Sequence, residues 1–292
     1  EMGGSVLVAG DPQTLKIHIH NDRPDRVIAF GLSLGTLSRI SIENLDRQAS
    51  DVRARVEAAG RAEAAGELEA ATADGTAVVA VAAGKGLAKV FETLGANAVV
   101  TGGQGANPSA GELAKAIRAT GARSVIVLPN NSNVRMAAKQ AGELVPGVKV
   151  EVVPTRNAGE GVAAMLAFDA ELPTHDAAKA MGKAARLIQT LEATTAVRDA
   201  RFGRRKVRVG QYIVLGPGEG LVAVDNDRSA AVLEAVRKLK PGFELVTIYR
   251  GDGIDEAAGE GLRETLREYL KDAEIELVDG GQPHYDFLIT AE

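Results

Sequence analysis

Residues 76–133 read TAVVAVAAGKGLAKVFETLGANAVVTGGQGANPSAGELAKAIRATGARSVIVLPNNSN and contain three short apolar runs with helical segments between them. A fourth apolar run, VKVEVV, follows at 148–153. Short apolar runs that alternate with helices are typical of buried strands in a parallel sheet with right-handed crossovers. The stretch therefore predicts an α/β fold with a parallel sheet and with helices near 85–95, 110–120 and 132–144.

The loops that follow these runs are polar and rich in glycine. In a parallel sheet they all lie at the carboxyl edge, where folds of this kind usually bind their ligands. Ser109 and Glu112 form a capping-box pattern, so the helix that begins there directs its first N–H groups toward this edge. We predict a binding or docking edge made of Gly102, Gly103, Gln104, Asn107, Ser109, Asn130, Asn131, Asn133 and Thr155.

Each of these residues also has a structural interpretation. Gly102 and Gly103 fit a tight turn before a capped helix, and the three asparagines of 130–133 are favoured as caps of the next helix. The AAGKG loop at 82–86 lacks the third glycine of a dinucleotide loop and the Lys-Ser/Thr ending of a phosphate loop. We therefore assign no cofactor to it.

Two of the four histidines, His18 and His20, stand two residues apart in TLKIHIHN at 14–21. In a strand their side chains share one face, as two ligands of a metal ion would, and the alternative is a solvated face. His175 and His284 are single histidines without an evident partner in the sequence. A solvated or capping role is favoured for both.

The composition narrows the classes of function. Of the 292 residues, 45% are hydrophobic and 25% are charged, a globular balance that predicts more than one folded unit. The net charge of -5 gives no general attraction to nucleic acid or anionic membranes. No apolar run approaches the about 20 residues of a membrane span. The absence of cysteine excludes disulfides, thiolate catalysis and cysteine-ligated zinc within this chain, and is compatible with a cytoplasmic protein.

The remaining patterns suggest three segments. Residues 1–46 are typical of a small ββαβ unit that needs more chain before it, because its few strands cannot bury both faces of a sheet. An Ala- and Glu-rich stretch at 47–75 is predicted to be a mobile, partly helical linker. Residues 76–292 are predicted to form the main domain.

The second half of the main domain is richer in strands. A helix predicted over 174–193 joins a lobe at about 76–170 to an α+β lobe at about 194–292. The GPGEG run at 216–220 lies between two apolar strands and predicts a hairpin turn. Across the chain, no Ser-His-Asp set, paired-carboxylate site or ATP motif can be recognised.

Taken together, these motifs resemble the C-terminal half of the dihydroxyacetone-kinase-like family represented by FakA, the kinase component of bacterial fatty acid kinase. The resemblance follows family order over nearly the whole chain apart from the linker. The matching segments are SVLVAGDPQTLKIHIHNDRPDRV, LGTLSRISIENL, VVAVAAGKGLAKVFETLGANAVVTGGQGANPS, VIVLPNNSNVRMAAKQA, VVPTRNAGEGVAAMLAFD, TTAVRDARF, VGQYIVL and GGQPHYDFLIT.

The resemblance implies that 1–46 ends a middle domain and that about 76–292 is a DegV-like C-terminal domain. In the family an N-terminal domain binds ATP and magnesium and phosphorylates a fatty acid carried by a separate DegV-like protein, and the product feeds phospholipid synthesis. That nucleotide domain is not in this chain, so the chain alone is expected to be inactive and to bind no cofactor of its own. His18 and His20 match two histidines of a middle-domain metal site, possible for zinc, whose cysteine ligand this chain lacks.

Three hypotheses follow. The first is a non-catalytic docking module for a DegV-like fatty-acid-binding protein, working with the N-terminal nucleotide-binding domain of the full-length protein. The second is a domain that itself binds a small molecule such as a fatty acid or dihydroxyacetone. The third is a scaffold that forms a homodimer. None of the three involves nucleic acid or a membrane span.

Overall fold

The fold is described by a computed structural model that divides the chain into two compact units, Glu1–Ala71 and Thr72–Glu292. The backbone is described for residues 4–11, 14–20, 23–36, 73–103, 107–203, 205–217 and 220–292. Side chains are described for the same residues except 4–20, 73 and 74.

The first unit contains two described strands and one helix. Strand β1 (Gly4–Asp11) pairs antiparallel with β2 (Thr14–His20). Helix α1 (Pro24–Leu34) has Pro24 at its start, where the missing N–H costs no helical hydrogen bond. The ββα part of the predicted ββαβ unit is present. The strand predicted at 39–45 and the predicted linker up to residue 72 lie outside the described residues.

The second unit begins with the predicted parallel sheet. Its strand order is β4-β3-β5-β6, and every neighbouring pair is parallel. Residues 77–82 and 125–128 are buried, which explains why these strands are continuous apolar runs. The strands are β3 (Ala73–Ala82), β4 (Ala98–Thr101), β5 (Ala122–Leu128) and β6 (Lys149–Val152).

Helices connect these strands close to the predicted positions. They are α2 (Lys85–Thr93), α3 (Ala110–Ala119) and α4 (Arg135–Glu143). Leu113 and Ile117 of α3 join Ala138 and Ala141 of α4 in one core with the strand valines. Residues three or four apart share a helix face, so this spacing buries one side of each helix.

The other lobe contains a six-stranded mixed sheet in the order β11-β10-β7-β14-β12-β13. The β12–β13 pair is parallel and the other neighbouring pairs are antiparallel. The strands are β7 (Gln189–Thr195), β10 (Tyr212–Gly216), β11 (Gly220–Asp225), β12 (Leu245–Arg250), β13 (Glu274–Asp279) and β14 (Phe287–Ala291). The β10–β11 hairpin confirms the turn predicted at 216–220.

Two helices bury one face of this sheet, and a short hairpin lies beside it. The helices are α7 (Arg228–Val236) and α8 (Glu256–Tyr269), whose buried residues share a core with Ile248 and Phe287. The hairpin is made of β8 (Ala200–Phe202) and β9 (Arg205–Val207). It closes a smaller cluster around Ala196, Val207 and Ile213.

The helix predicted over 174–193 is wrong at its C-terminal end. Helix α6 covers Thr174–Leu187, and the next residues form β7 between β14 and β10. Leu191 and Ala193 of β7 are buried in the lobe core. The threonines of the QTLEATT segment favour extended backbone, since β-branched side chains lose freedom in a helix and pack well in a sheet.

Helix α5 (Ala158–Leu166) fills the space between the lobes, and all nine of its residues are buried. It contacts α2 and α6 on one side and β14 on the other. A Cβ atom at Gly159 would lie 2.4 Å from Thr290 Cγ2, so the missing side chain allows the helix to approach the sheet closely. The interior beneath the carboxyl edge of the parallel sheet is therefore occupied by protein.

Partly buried carboxylates on β13 and at residue 292 make stability depend on pH. Burial, with smaller contributions from Glu274 and Glu292, raises the pKa of Glu276 from 4.5 to about 7. Burial also raises the pKa of Glu292 to about 7. A raised pKa favours the protonated folded state, so this contribution is fully present below about pH 4.5 and is lost as the pH rises through 7.

We expect Glu276→Gln to be more stable than the parent chain at pH 8, by about 1 kcal/mol because Glu276 is partly solvated. The gain should vanish near pH 4, where the parent carboxyl is protonated in both states. Urea unfolding across this pH range measures the effect, with exposed Glu268→Gln as the control. A gain independent of pH, or one equalled by Glu268→Gln, would contradict the assignment.

Candidate functional site

The predicted docking edge lies at the carboxyl ends of β3, β4, β5 and β6, because these strands are parallel. The structure divides its residues into a packed base and an exposed rim. The base contains buried Gly102, Asn131 and Thr155, with half-buried Gly103 and Asn130, and the rim contains exposed Asn107, Ser109 and Asn133. Gln104 lies outside the described residues.

Asn130 and Thr155 tie three strand ends together. The Asn130 amide nitrogen donates to the carbonyl of Val81 at 2.8 Å, and the Thr155 hydroxyl donates to Asn130 Oδ1 at 2.7 Å. The Asn130 backbone N–H donates to Thr155 Oγ1 at 3.0 Å. Asn130 has a φ of 51°, a left-handed conformation that asparagine tolerates better than most residues. These two side chains are satisfied internally, so they support the edge.

The prediction that the asparagines cap the next helix is wrong. Helix α4 begins after Val134 and has no side-chain cap. Asn131 Oδ1 accepts a hydrogen bond from the backbone N–H of Asn133 at 2.8 Å, an arrangement that stabilises the turn before the helix. The Asn133 side chain is left exposed on the rim.

The glycines of the second loop allow close packing. A Cβ at Gly102 would lie 2.5 Å from Pro108 Cδ, and one at Gly103 would lie 2.6 Å from Ala83 Cβ. The predicted capping box is confirmed, with Glu112 N–H donating to Ser109 Oγ and Ser109 N–H donating to Glu112. The Ser109 backbone and hydroxyl donors hold the pKa of the Glu112 carboxyl below its ordinary value.

The AAGKG loop packs against the opposite lobe. The N–H of Leu87 donates to the carbonyl of Gly280 at 2.8 Å, so the start of α2 faces a protein carbonyl. A Cβ at Gly86 would lie 1.8 Å from the Asp279 carbonyl oxygen, and one at Gly84 would lie 2.3 Å from that of Gly281. We call the contact of Gly84–Gly86 with Asp279–Gln282 the interlobe latch. Its glycines have a packing role that explains them without a cofactor.

Sequence reasoning missed a buried ion pair beside the edge. Glu160 of α5 is 3% exposed, and Arg156 bonds its carboxylate through Nη2 at 2.5 Å and Nε at 2.7 Å. The Arg156 backbone N–H donates to the other carboxylate oxygen at 2.7 Å. Asn157 caps the same helix through the N–H of Glu160. The i,i+4 spacing of Arg156 and Glu160 is the sequence signal that identifies the pair.

Two clefts lie away from the predicted edge. One, of about 320 Å³, lies between β6 and α6 and is lined by Glu151, His175, Lys179 and Arg186 among others. The other, of about 220 Å³, lies beside β7 and α7. Neither cleft is lined by Gly103 or Asn130.

The two single histidines have different surroundings. His175 does have an acidic partner, because its Nδ1 lies 3.3 Å from Glu151 Oε1 on β6, a contact that distance in sequence conceals. His284 is exposed, as expected, and has a φ of 74°. Its carbonyl accepts a hydrogen bond from the Thr194 hydroxyl at 2.6 Å.

The histidine pair lies on β2, where Leu7 is opposite His18 and Gly4 is opposite His20. The side chains of His18 and His20 are outside the described residues. The described side chains hold no group of three or more acidic or histidine residues placed to bind a metal. In the same part of the chain, no helix has the length and apolar composition to cross a membrane.

Comparison with family models connects these observations. The FakA-like C-terminal model, which describes proteins like the kinase component of fatty acid kinase, matches residues 77–292. The FakA-like middle-domain model matches residues 1–52. The chain belongs to the FakA-like family of fatty acid kinase proteins. The resemblance drawn from the sequence motifs is thereby confirmed.

Curated relatives of this FakA-like chain match its entire length. Protein YloV of Bacillus subtilis is 30% identical over 292 residues, which are 100% of this chain and 52% of that protein. An uncharacterised protein of Staphylococcus haemolyticus is 29% identical over 294 residues, with the same coverage. The chain therefore spans about half the length of the curated relatives it matches.

Solved structures confirm the DegV-like fold. A DegV family protein from Corynebacterium glutamicum superposes with a TM-score of 0.55 at 17% identity, covering 74% of this chain and 96% of that one. A DegV family protein from Thermus thermophilus, described as binding fatty acid, gives 0.54 at 14% identity, with 75% and 99% covered. The linoleic-acid-loaded fatty acid kinase B3 protein of Streptococcus pneumoniae gives 0.50 at 11%, with 74% and 99% covered. At these identities the likeness concerns the fold alone.

Proposed function

We propose that this chain docks a DegV-family fatty-acid-binding protein, so that the carboxylate of the bound acyl chain can be phosphorylated by an ATP- and magnesium-binding domain of the full-length protein. The observation that carries the proposal is the carboxyl edge of the parallel sheet, within the domain that matches the family. There an internally bonded base presents the exposed polar side chains of Asn107, Ser109 and Asn133.

The base and the rim have different roles in this proposal. Asn130, Asn131 and Thr155 use their polar side-chain atoms in bonds within the edge, so they fix its shape. The exposed side chains of Asn107 and Asn133 have no such bond and are available to a partner. A fixed backbone below free polar groups lowers the entropy that binding must overcome.

The alternative of an internal small-molecule site receives less support. Helix α5 occupies the interior beneath the edge, and the clefts of about 320 Å³ and 220 Å³ lie elsewhere. Ligand pockets usually surround most of a small molecule, and a filled interior offers no such space at this position. Docking at the rim is therefore the function that we favour.

Two further proposals concern the first unit. Phe30, Leu32 and Leu34 of α1 are 51%, 59% and 72% exposed, which favours a homodimer contact there. His18 and His20 would supply two ligands to a zinc ion, with further ligands from elsewhere in the full-length protein. Zinc would then order the middle domain rather than act in phosphoryl transfer.

Titration calorimetry with a fatty-acid-loaded DegV-family protein of the same organism tests the docking proposal. We expect saturable binding that weakens about tenfold when Asn107 and Asn133 are both changed to alanine. Gln140→Ala, an exposed amide farther along α4, is the matched control and should bind like the parent.

Two outcomes would contradict the proposal. Saturable binding unchanged in the Asn107→Ala/Asn133→Ala variant would place the contact elsewhere on the chain. No binding by a chain that unfolds cooperatively would exclude docking by this portion, and the small-molecule hypothesis would replace it.

A further inference from the structure

The β8–β9 hairpin carries a concentration of positive charge that the net charge of the chain hides. Residues 197–210 read VRDARFGRRKVRVG and include six basic residues and one acidic residue, whereas the whole chain has a net charge of -5. A local patch of one sign attracts oppositely charged surfaces within about 10 Å at physiological salt, whatever the total charge.

The positive charges of this hairpin are exposed and poorly neutralised. Arg198, Lys206 and Arg208 are exposed and have no acidic partner among the described residues. Arg205 lies 3.8 Å from Glu234, a long ion pair at the surface. Asp199, the acidic residue of the segment, accepts a hydrogen bond from the backbone N–H of Val209 at 2.8 Å.

Two exposed valines accompany the charges. Val197 is 87% exposed and Val209 is 62% exposed. Backbone hydrogen bonds pair Ala196 with Gln211 and Gly210 with Ala196, which brings the two valines to neighbouring strands at one end of the hairpin. We call Val197, Val209 and the exposed basic residues of 198–208 the basic tip.

The inner face of the hairpin fixes the basic tip. Val207 is 2% exposed and packs with Ala196 and Ile213, and Phe202 packs on the same cluster. With its inner face buried, the hairpin holds the valines and cations on the outside. The tip is a protrusion built by pairing and packing rather than a groove.

We propose that the basic tip binds an anionic lipid surface. Guanidinium and ammonium groups pair with lipid phosphates, while the two valines enter the boundary between headgroups and acyl chains. An apolar contact combined with several cations provides the two signals that reversible membrane attachment requires. A protruding tip suits a planar partner, and the segment lacks the exposed aromatic side chains on which single-stranded nucleic acid stacks.

The proposal is independent of carrier docking, because it rests on different residues. Its test is co-sedimentation of the chain with vesicles of phosphatidylglycerol and phosphatidylcholine in equal parts, compared with vesicles of phosphatidylcholine alone. We expect binding to the anionic vesicles that weakens steeply between about 0.1 M and 0.5 M salt. Both Arg198→Glu/Arg208→Glu and Val197→Ser/Val209→Ser should bind at least about tenfold more weakly.

The matched control is Lys115→Glu/Lys139→Glu, which reverses two exposed charges outside the tip and should bind like the parent. Thermal unfolding of each variant shows that it is folded. Equal binding to both vesicle types, or hairpin variants that bind like the parent, would overturn the proposal. Hairpin-dependent binding to an acidic protein or a nucleic acid, without vesicle binding, would overturn it in favour of that partner.

Discussion

Replacing Gly86 with alanine is expected to lower the free energy of unfolding by about 3 kcal/mol or more. The new Cβ would lie 1.8 Å from the carbonyl oxygen of Asp279 and 2.9 Å from the Gly280 backbone. Those atoms belong to the backbone of the turn between β13 and β14, so they cannot rotate away as a side chain would. Either α2 or the turn must move, and the Leu87–Gly280 hydrogen bond is lost.

Urea unfolding measures the loss, and Gly261→Ala in α8 is the matched control. A Cβ at Gly261 meets nothing within 4 Å and lies in an exposed helical position. That alanine should stabilise the chain by about 0.5–1 kcal/mol, because alanine has the higher helix propensity. A Gly86→Ala chain as stable as the parent would show that the lobes do not depend on the latch.

Replacing Arg156 with alanine is expected to destabilise the chain by about 3 kcal/mol, because the buried Glu160 carboxylate loses its cation. Only the backbone N–H at residue 156, which alanine retains, would still bond that carboxylate among the contacts of the described residues. The exposed pair of Arg267 and Glu264 is the control, and Arg267→Ala should cost less than about 0.5 kcal/mol.

The double variant Arg156→Ala/Glu160→Gln separates charge from packing. A neutral amide needs no cation, so the double variant should recover most of the stability lost by Arg156→Ala. If the double variant is as unstable as Arg156→Ala, the loss comes from packing of the arginine and the ion-pair explanation is wrong.

The sequence predicts those parts of the fold that depend on local patterns. The apolar runs of β3 and β5, the capping box of Ser109 and Glu112, and the turn between β10 and β11 are each encoded within a few residues. The end of α6 is a different case, because leucine, isoleucine and threonine in 187–195 are compatible with a helix or a strand. Pairing of β7 with β14 and β10 decides in favour of the strand.

The roles of individual site residues depend on contacts that are distant in sequence. Asn130 bonds Val81 and Thr155, and Gly86 packs against Asp279, so neither role can be read from the local pattern. Local patterns therefore locate the edge but cannot separate its packed base from its exposed rim. The same holds for His175, whose partner Glu151 lies on another element.

Hydrogen–deuterium exchange of this chain, with and without a fatty-acid-loaded DegV-family protein of the same organism, tests the docking proposal most directly. The proposal predicts that the partner slows exchange of backbone amides in 101–112 and 129–134. The amides of the β8–β9 hairpin, which the docking proposal does not involve, should exchange at the same rate in both samples. Protection confined to other surfaces, or no protection at saturating partner, would contradict the proposal.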